Sequence, residues 1–360
     1  MNFRLGELFS GPGGLAVGAL NAECTNNETG ELFSISHEWS SDYDQDSCNT
    51  YIRNINGASE ENVICKDVKD LNIENLNPID GFAYGFPCND FSLVGEQKGF
   101  KGNFGPLYSY GIKVLNHFNP QFFVAENVGG ITSANDGNSF ETILSELSNS
   151  GLDGYNLTVN LYKSEKYGIP QKRHRIIIVG IRQDLNLEFK VPAPTIEEEE
   201  NYISAKEALE NPIILNNAYN NVRTRQSATV VERLSYIQPG ENAWSENIPP
   251  HLRLKVKGAK LSQIYRKLHP DKPSYTITGS GGGGTHGYHY AENRALTNRE
   301  RARIQSFPDD FEFIGKKESI RKQIGMAVPP LLSKVVFEAI LKTFAGISYN
   351  SVEPNINYAN

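Results

Sequence analysis

The chain is predicted to be an α/β protein: a doubly wound, mainly parallel sheet with a smaller, irregular domain attached. Three observations predict it. Short apolar runs alternate with amphipathic stretches through the first half, a glycine-rich turn follows the first of those runs, and near Arg182 the texture becomes polar and proline-punctuated. With 360 residues, 39% of them hydrophobic, the chain is long enough for two domains.

Each element has its own signal. Arg4–Phe9 is an apolar run that enters Ser10-Gly11-Pro12-Gly13-Gly14, a turn that lets a ligand approach the backbone, and Gly14–Leu20 continues as a helix. Phe33–His37 reads as the second strand and Asp44–Arg53 as a helix opening on an acidic residue. Asp80–Tyr84, Phe122–Ala125, Tyr155–Leu161 and Arg175–Ile181 follow as strands, with helices over Leu107–Phe118 and Ser139–Ser150. After the irregular middle, Pro330–Phe344 is expected to be a helix that packs back on the first domain. The expected division is 1–185 plus 319–346, then 186–318, with a loose polar tail over 347–360.

A formal charge of −7 argues against a protein that coats nucleic acid through bulk positive charge, so any such contact is local. No apolar run approaches the roughly 20 residues of a membrane span, and the start lacks the pattern of a secretory signal. An intracellular protein with no membrane partner is expected. Cys24, Cys48, Cys65 and Cys88 show neither disulfide-framework nor metal-ligand spacing, so no metal is expected.

Glu38 is expected to end the second strand, about 20 residues past the glycine turn, the distance at which a carboxylate meets a ribose in dinucleotide folds. Trp39 beside it offers a flat face for adenine. A nucleotide-containing cofactor is indicated, with NAD, FAD and S-adenosylmethionine all open. The proline within the turn and the missing Lys-Ser/Thr make a phosphate seat less convincing than a smaller cofactor. Asp67, with Val68, reads equally as an adenine ligand or as a helix cap. Cys88 follows the third strand at the carboxyl edge where open sheets bind ligands, and Glu126 ends the next strand at the same edge. In the second domain, Arg253, Lys255, Lys257, Lys260, Arg266 and Lys267 form a basic stretch, read either as a solvated face or as a phosphate contact.

Six segments together resemble the DNA (cytosine-5)-methyltransferase family of bacterial restriction-modification systems. They are Leu8–Leu15 (LFSGPGGL), Gly85–Ser92 (GFPCNDFS), Glu126–Val128 (ENV), Gln171–Arg175 (QKRHR), Thr297–Pro308 (TNRERARIQSFP) and Gln323–Pro330 (QIGMAVPP). The resemblance implies a seven-stranded methyltransferase sheet with one antiparallel strand. It also implies transfer of a methyl group from S-adenosyl-L-methionine to C5 of a flipped cytosine in a specific double-stranded DNA sequence, through addition of Cys88 at C6. Glu126 would hold N3 and the exocyclic amine, kept neutral beside apolar Phe86 and Val128; Arg175 would take O2, with Arg173 in support.

The cofactor would be surrounded by Phe9, Gly11, Gly13, Leu15, Glu38, Trp39, Asp67, Val68, Pro87 and Leu107. The segment Asn89–Gly105, with Ser92 and Lys98, would fold onto DNA and seal the site. The first domain becomes the catalytic and cofactor-binding one, and the second the target-recognition domain. There, Arg223, Arg225, Arg253, Arg266, Ser280, His286, Tyr288 and His289 are candidate DNA contacts, whereas Arg299, Glu300 and Arg303 brace the region. Glu7, Asn89 and Met326 depart from the family's usual Asp, Gln and Asn; Met326 puts one cofactor contact in doubt. A monomer in the bacterial cytoplasm is expected, with a companion restriction endonuclease acting on the same site as a further partner. A transfer-RNA cytosine-5 methyltransferase and a non-catalytic DNA-binding relative are the competing readings.

Overall fold

The computed structural model describes residues 1–86, 107–132, 138–256, 260–279 and 284–358. In chain order the elements are β1 (Asn2–Leu8), α1 (Gly14–Leu20), β2 (Glu23–Thr25), β3 (Leu32–Asp42), α2 (Gln45–Asn54), β4 (Val63–Cys65), β5 (Gly81–Gly85), α3 (Tyr108–Phe118), β6 (Phe122–Val128), α4 (Asn138–Ser148), β7 (Tyr155–Lys163), β8 (Gln171–Lys172) and β9 (His174–Arg182). They continue as β10 (Val191–Pro192), α5 (Ala205–Glu210), α6 (Ala228–Ser235), β11 (Ser274–Tyr275), α7 (Asn298–Ile304), α8 (Lys317–Met326), α9 (Pro330–Phe344) and β12 (Ser351–Val352).

The chain divides into two compact units. The first comprises Met1–Lys163, His174–Pro194 and Leu332–Asn360; the second comprises Ser164–Arg173 and Thr195–Leu331. The expected boundaries differ in three respects: the QKR segment and α8 belong to the second unit, 186–194 belongs to the first, and so does the stretch expected to be a loose tail.

In the first unit the main sheet runs β2-β3-β1-β5-β6-β9-β7, with β4 also paired to β3. β3, β1, β5 and β6 are mutually parallel, and β9 runs antiparallel between β6 and β7. This is the expected methyltransferase arrangement with one addition: β2 adds a second antiparallel strand, three residues long, and the described sheet has eight strands. The apolar runs that suggested β5 and β6 are buried on both faces, as a parallel sheet covered by helices requires. Among the described residues, only Lys317–Phe344 has the length and apolarity of a membrane span, and most of it is buried inside the protein.

The last helix returns to the sheet as expected. Phe344 lies 4.8 Å from Phe3 and 5.8 Å from Phe122, ring centre to ring centre, and Ser333 donates to the Leu15 carbonyl at 2.7 Å. The chain end is docked rather than loose, because β7 is an edge strand whose backbone needs partners. Asn355 supplies them, its side chain accepting from Leu161 N–H at 2.8 Å and donating to Leu161 O at 3.0 Å. Ile356 and Tyr358 pack on the core beneath.

The second unit is irregular, as its composition suggested. Its described residues include two small apolar clusters, one around Leu268, Ile277 and Leu296, the other around Leu234, Ile248 and Tyr288. Much of the remaining order comes from side chains that bond backbone. Arg299, fully buried, donates to the carbonyls of Tyr219 (2.9 Å), Pro308 (2.8 Å) and Phe311. Glu300 closes a capping box with Thr297, and Arg303 reaches Asp309 and the Ala208 carbonyl. All three brace the unit, as expected.

Candidate active site

β5 and β6 pair with Gly85 opposite Glu126. A Cβ at position 85 would sit 3.1 Å from a Glu126 carboxylate oxygen, so the glycine leaves room for that acid directly before Phe86. Asn127 donates to the Phe86 carbonyl at 3.2 Å and ties the end of β6 to the segment that leads to Cys88. β9 brings Arg175 to the same edge, in register with Val128. Its Nε lies 2.8 Å from Glu126 Oε1, and the two side chains are only 14% and 12% exposed. A pair this shielded from water interacts more strongly than a surface ion pair. The Glu126 carboxylate thus faces a cation, not only the apolar neighbours expected to keep it neutral.

Arg173, two residues earlier, sits elsewhere in the fold. It is 1% exposed and donates to the carbonyls of Ile277 (3.2 Å), Gly325 (3.1 Å) and Ala327 (2.9 Å), all in the second unit. Its neighbour Gln171 accepts from Ile277 N–H and donates to Gln305. Arg173, expected to support the catalytic edge, thus supports the second unit's backbone.

Along the same carboxyl edge of the sheet, after β1, Phe9 and Gly11 adopt left-handed backbone angles (φ 54° and 53°), as does Gly13 (φ 97°), which is why the turn is rich in glycine. Gly11 has open space where a side chain would stand, whereas a side chain at Gly13 would meet Ile55 and Tyr51 at 3.1 Å. Leu15, Val68 and Leu107 are buried behind this edge, and Asp67 caps the short helix after it through Lys69 N–H at 3.0 Å. Capping uses one oxygen, so the cap and ligand readings of Asp67 are compatible.

Glu38 and Trp39 require correction. β3 does not stop at His37 but runs to Asp42, because Ser40 and Ser41 pair with Glu7 and Leu8 of β1 and Ser40–Asp42 also pair with β4. Two buried serines read as a turn in sequence, yet their backbone groups are satisfied by ladders on both sides. Glu38 consequently lies four residues short of the strand end, accepting from Asn77. Trp39 is 2% exposed, its indole N–H on the Asn77 carbonyl and its ring filling the space over Gly6. The carboxylate at the strand end is Asp42, which accepts from Gly11 N–H at 2.8 Å, and the aromatic beside it is Tyr43, 64% exposed. The missed signal was the acid-aromatic pair immediately ahead of Asp44, the N-cap of α2.

The corner fits a nucleoside cofactor better than a dinucleotide. Gly11 N–H, a donor that a pyrophosphate would need, is spent on Asp42, and the neighbouring groups Asp42 and Asp67 accept hydrogen bonds from hydroxyls and amines. Ser10 Oγ is buried and has no partner among the described residues.

Beneath the turn, Tyr51 Oη lies 3.1 Å from Glu7 Oε2 and 3.2 Å from His37 Nδ1. Burial pushes the Glu7 carboxyl up to about 8 and His37 down to about 4, so both are held neutral.

The candidate DNA contacts separate into buried and exposed groups. Tyr288 (1% exposed) and His289 (9%) belong to the second unit's interior, with His289 Nδ1 accepting from Ala291 and Glu292 N–H, so they are not surface readers of base edges. Arg223 pairs with Glu292 at 3.0 Å, Arg253 donates to the Ile248 and Glu246 carbonyls, and Arg266 lies over the Tyr275 ring; Arg225 is exposed. Met326 is 64% exposed. Pro87, Cys88, Ser92, Lys98, the rest of Asn89–Gly105, Lys257 and Ser280 lie outside the described residues.

Comparisons with known proteins agree with this geometry. The profile of the C-5 cytosine-specific DNA methylase family matches residues 3–342. The Type II methyltransferase M.BbvI of Brevibacillus brevis is 58% identical over 356 residues, covering 98% of this chain and 94% of the relative. M.NgoFVII of Neisseria gonorrhoeae, another Type II methyltransferase, is 39% identical, with 96% and 88% covered. A prophage-encoded Escherichia coli protein described as a DNA modification methyltransferase superposes with a TM-score of 0.69 over 95% of this chain and 99% of its own, at 23% identity, a likeness of fold. The chain belongs to the C-5 cytosine-specific DNA methylase family and is a DNA cytosine-5-methyltransferase.

Proposed function

We propose that the protein methylates C5 of a cytosine flipped out of a specific double-stranded DNA sequence, with S-adenosylmethionine as methyl donor and Cys88 as nucleophile. The observation that carries this reading is the Glu126–Arg175 pair at the end of β6, beside Gly85 and three residues before Cys88. Acid and guanidinium stand where a pyrimidine's N3 edge and O2 need a proton source and a cation.

The thiolate of Cys88 adds to C6, and the displaced electron pair makes C5 an enamine carbon. Glu126 holds a proton at N3 and accepts from the exocyclic amine, while Arg175 takes the O2 charge; each releases the other as the base enters. When bound, S-adenosylmethionine supplies the electrophilic methyl group. Loss of the C5 proton to water then returns the electron pair that expels Cys88. A stacked base is out of reach of this edge, so flipping is required, at roughly a few kcal/mol.

For the cofactor, Asp42 replaces Glu38 as the acceptor for ribose hydroxyls, Tyr43 replaces Trp39 as the adenine platform, and Asp67 accepts from the adenine amine. The turn Phe9–Gly13 carries the remainder. The second unit acts in target recognition, and the names of the two relatives support a restriction-modification setting; a bacterial cytoplasm, a cognate endonuclease as partner and a monomeric enzyme complete the proposal.

The test uses labelled S-adenosylmethionine with mixed-sequence duplex DNA and with transfer RNA. Label on duplex DNA, located at cytosine C5 by bisulfite sequencing, is the expected result. Label on transfer RNA alone refutes the DNA reading.

A further inference from the structure

The second unit contains a buried positive cluster that the proposed chemistry does not use. Arg301 on α7 and Arg321 on α8, two helices packed on each other, are 1% and 3% exposed. Arg299, one turn position away on α7, commits Nε, Nη1 and Nη2 to three carbonyls. Arg301 does not: its Nε and Nη2 are buried and have no hydrogen-bond partner among the described residues, and the same holds for Nδ1 of His286.

Nor, among the described residues, does a free carboxylate neutralise Arg301. The acid whose charge acts on it is Glu300, and both oxygens of Glu300 already accept, one from Arg294 and the other from Arg294 and Thr297 N–H. Arg321 adds a second positive charge that acts against the first, and its own acidic neighbour Glu318 is exposed. Burial and that repulsion push Arg301 down to about 10 and, with the two arginines beside it, His286 down to about 4. A guanidinium enclosed with open donors beside a like charge is strongly destabilising unless an anion answers it.

We infer that Arg301, Arg321 and His286 form a binding site for a phosphate-type oxyanion within the second unit. A tetrahedral oxyanion accepts from the planar fork of a guanidinium and carries charge opposite to that of Arg301. It comes either from a DNA backbone phosphate or from free inorganic phosphate. The DNA source rests on the proposed function; the ion site does not.

Thermal denaturation of the full chain without DNA, in sodium phosphate and in sodium chloride of matched ionic strength, reads the site directly. Wild type is expected to gain Tm saturably in phosphate beyond chloride, and Arg301→Met to lose that difference. Duplex-DNA affinity against salt separates the sources. With a backbone phosphate, Arg301→Met lowers the log–log salt slope by about one and inorganic phosphate competes with DNA beyond matched chloride. With a free ion, the slope is unchanged. The inference is overturned if phosphate and chloride give wild type the same Tm, phosphate does not compete with DNA, and calorimetric titration of wild type with phosphate shows no binding. Arg301→Met then raises Tm in both buffers, as removal of an unanswered buried charge does. The calorimetric titration needs wild type alone, so a poorly folding variant leaves the test intact.

Discussion

The two units satisfy buried backbone by different means. In the first, carbonyls and amides are paired in strand ladders, and charged residues near the strand ends, Glu126, Arg175 and Asp42, are the ones to which the proposed function gives chemical roles. In the second, ladders are two residues long and arginines take over, with Arg173, Arg233, Arg253 and Arg299 all donating to carbonyls. On the proposed reading, charged residues at the carboxyl edge of the first unit carry function, whereas the buried arginines of the second carry architecture. The same substitution should therefore have opposite signatures in the two.

The largest effect expected is at the catalytic edge. Glu126→Gln should lower kcat by about 10²–10⁴-fold, with Tm unchanged within a degree or two; steady-state kinetics beside a melting curve separates the two effects. A parallel loss of Tm would make Glu126 part of the architecture and erase the distinction. Next is Arg299→Met, which leaves the carbonyls of Tyr219, Pro308 and Phe311 without this donor and should cost about 3 kcal/mol of stability, measured by denaturant unfolding. Asp42→Ala should weaken S-adenosylmethionine binding by about 10–100-fold, the worth of charge-assisted hydrogen bonds, whereas Glu38→Ala should leave it within about threefold. Calorimetry that ranked Glu38 above Asp42 would restore the original cofactor assignment.

The pH dependence of the first unit is spread over several pH units and is small per unit. Glu7 is held near 8 by burial, against 4.5 when exposed. Between those values the folded chain keeps a proton that the unfolded chain has lost, so stability falls as pH rises through that window, by up to about 1.4 kcal/mol per pH unit. Glu7→Gln cannot ionise and should flatten that slope in unfolding measured from pH 5 to 8. An unchanged slope would mean that Glu7 is not the group responsible.

Where local pattern and tertiary context agreed, the sequence was readable. α1 and α9 have the ends their apolar spacing suggested, and β5 and β6 are the continuous apolar runs of a covered parallel sheet. Glu126 and Arg175 were legible because each borders such a run. β3 was not, since Ser40 and Ser41 carry no apolar signal and owe their burial to two neighbouring strands. That hidden extension moves the proposed cofactor carboxylate from Glu38 to Asp42. The docking of Asn355 on β7 was equally invisible, because a polar asparagine substitutes for a strand only where an edge lies open. In the second unit, His289 and Tyr288 look like surface readers in sequence, yet they are buried in an interior built largely from polar side chains.

The central claim, covalent catalysis by Cys88 with the Glu126–Arg175 edge at its side, is tested most directly by trapping. Duplex DNA carrying 5-fluorocytosine is incubated with S-adenosylmethionine and either wild type or Cys88→Ala, then denatured and separated by size. The account predicts a denaturation-resistant protein–DNA adduct with wild type only, since fluorine at C5 does not leave as a proton does and Cys88 stays attached at C6. Methyl transfer to unmodified DNA without any trapped adduct, or an adduct that persists in Cys88→Ala, would contradict it.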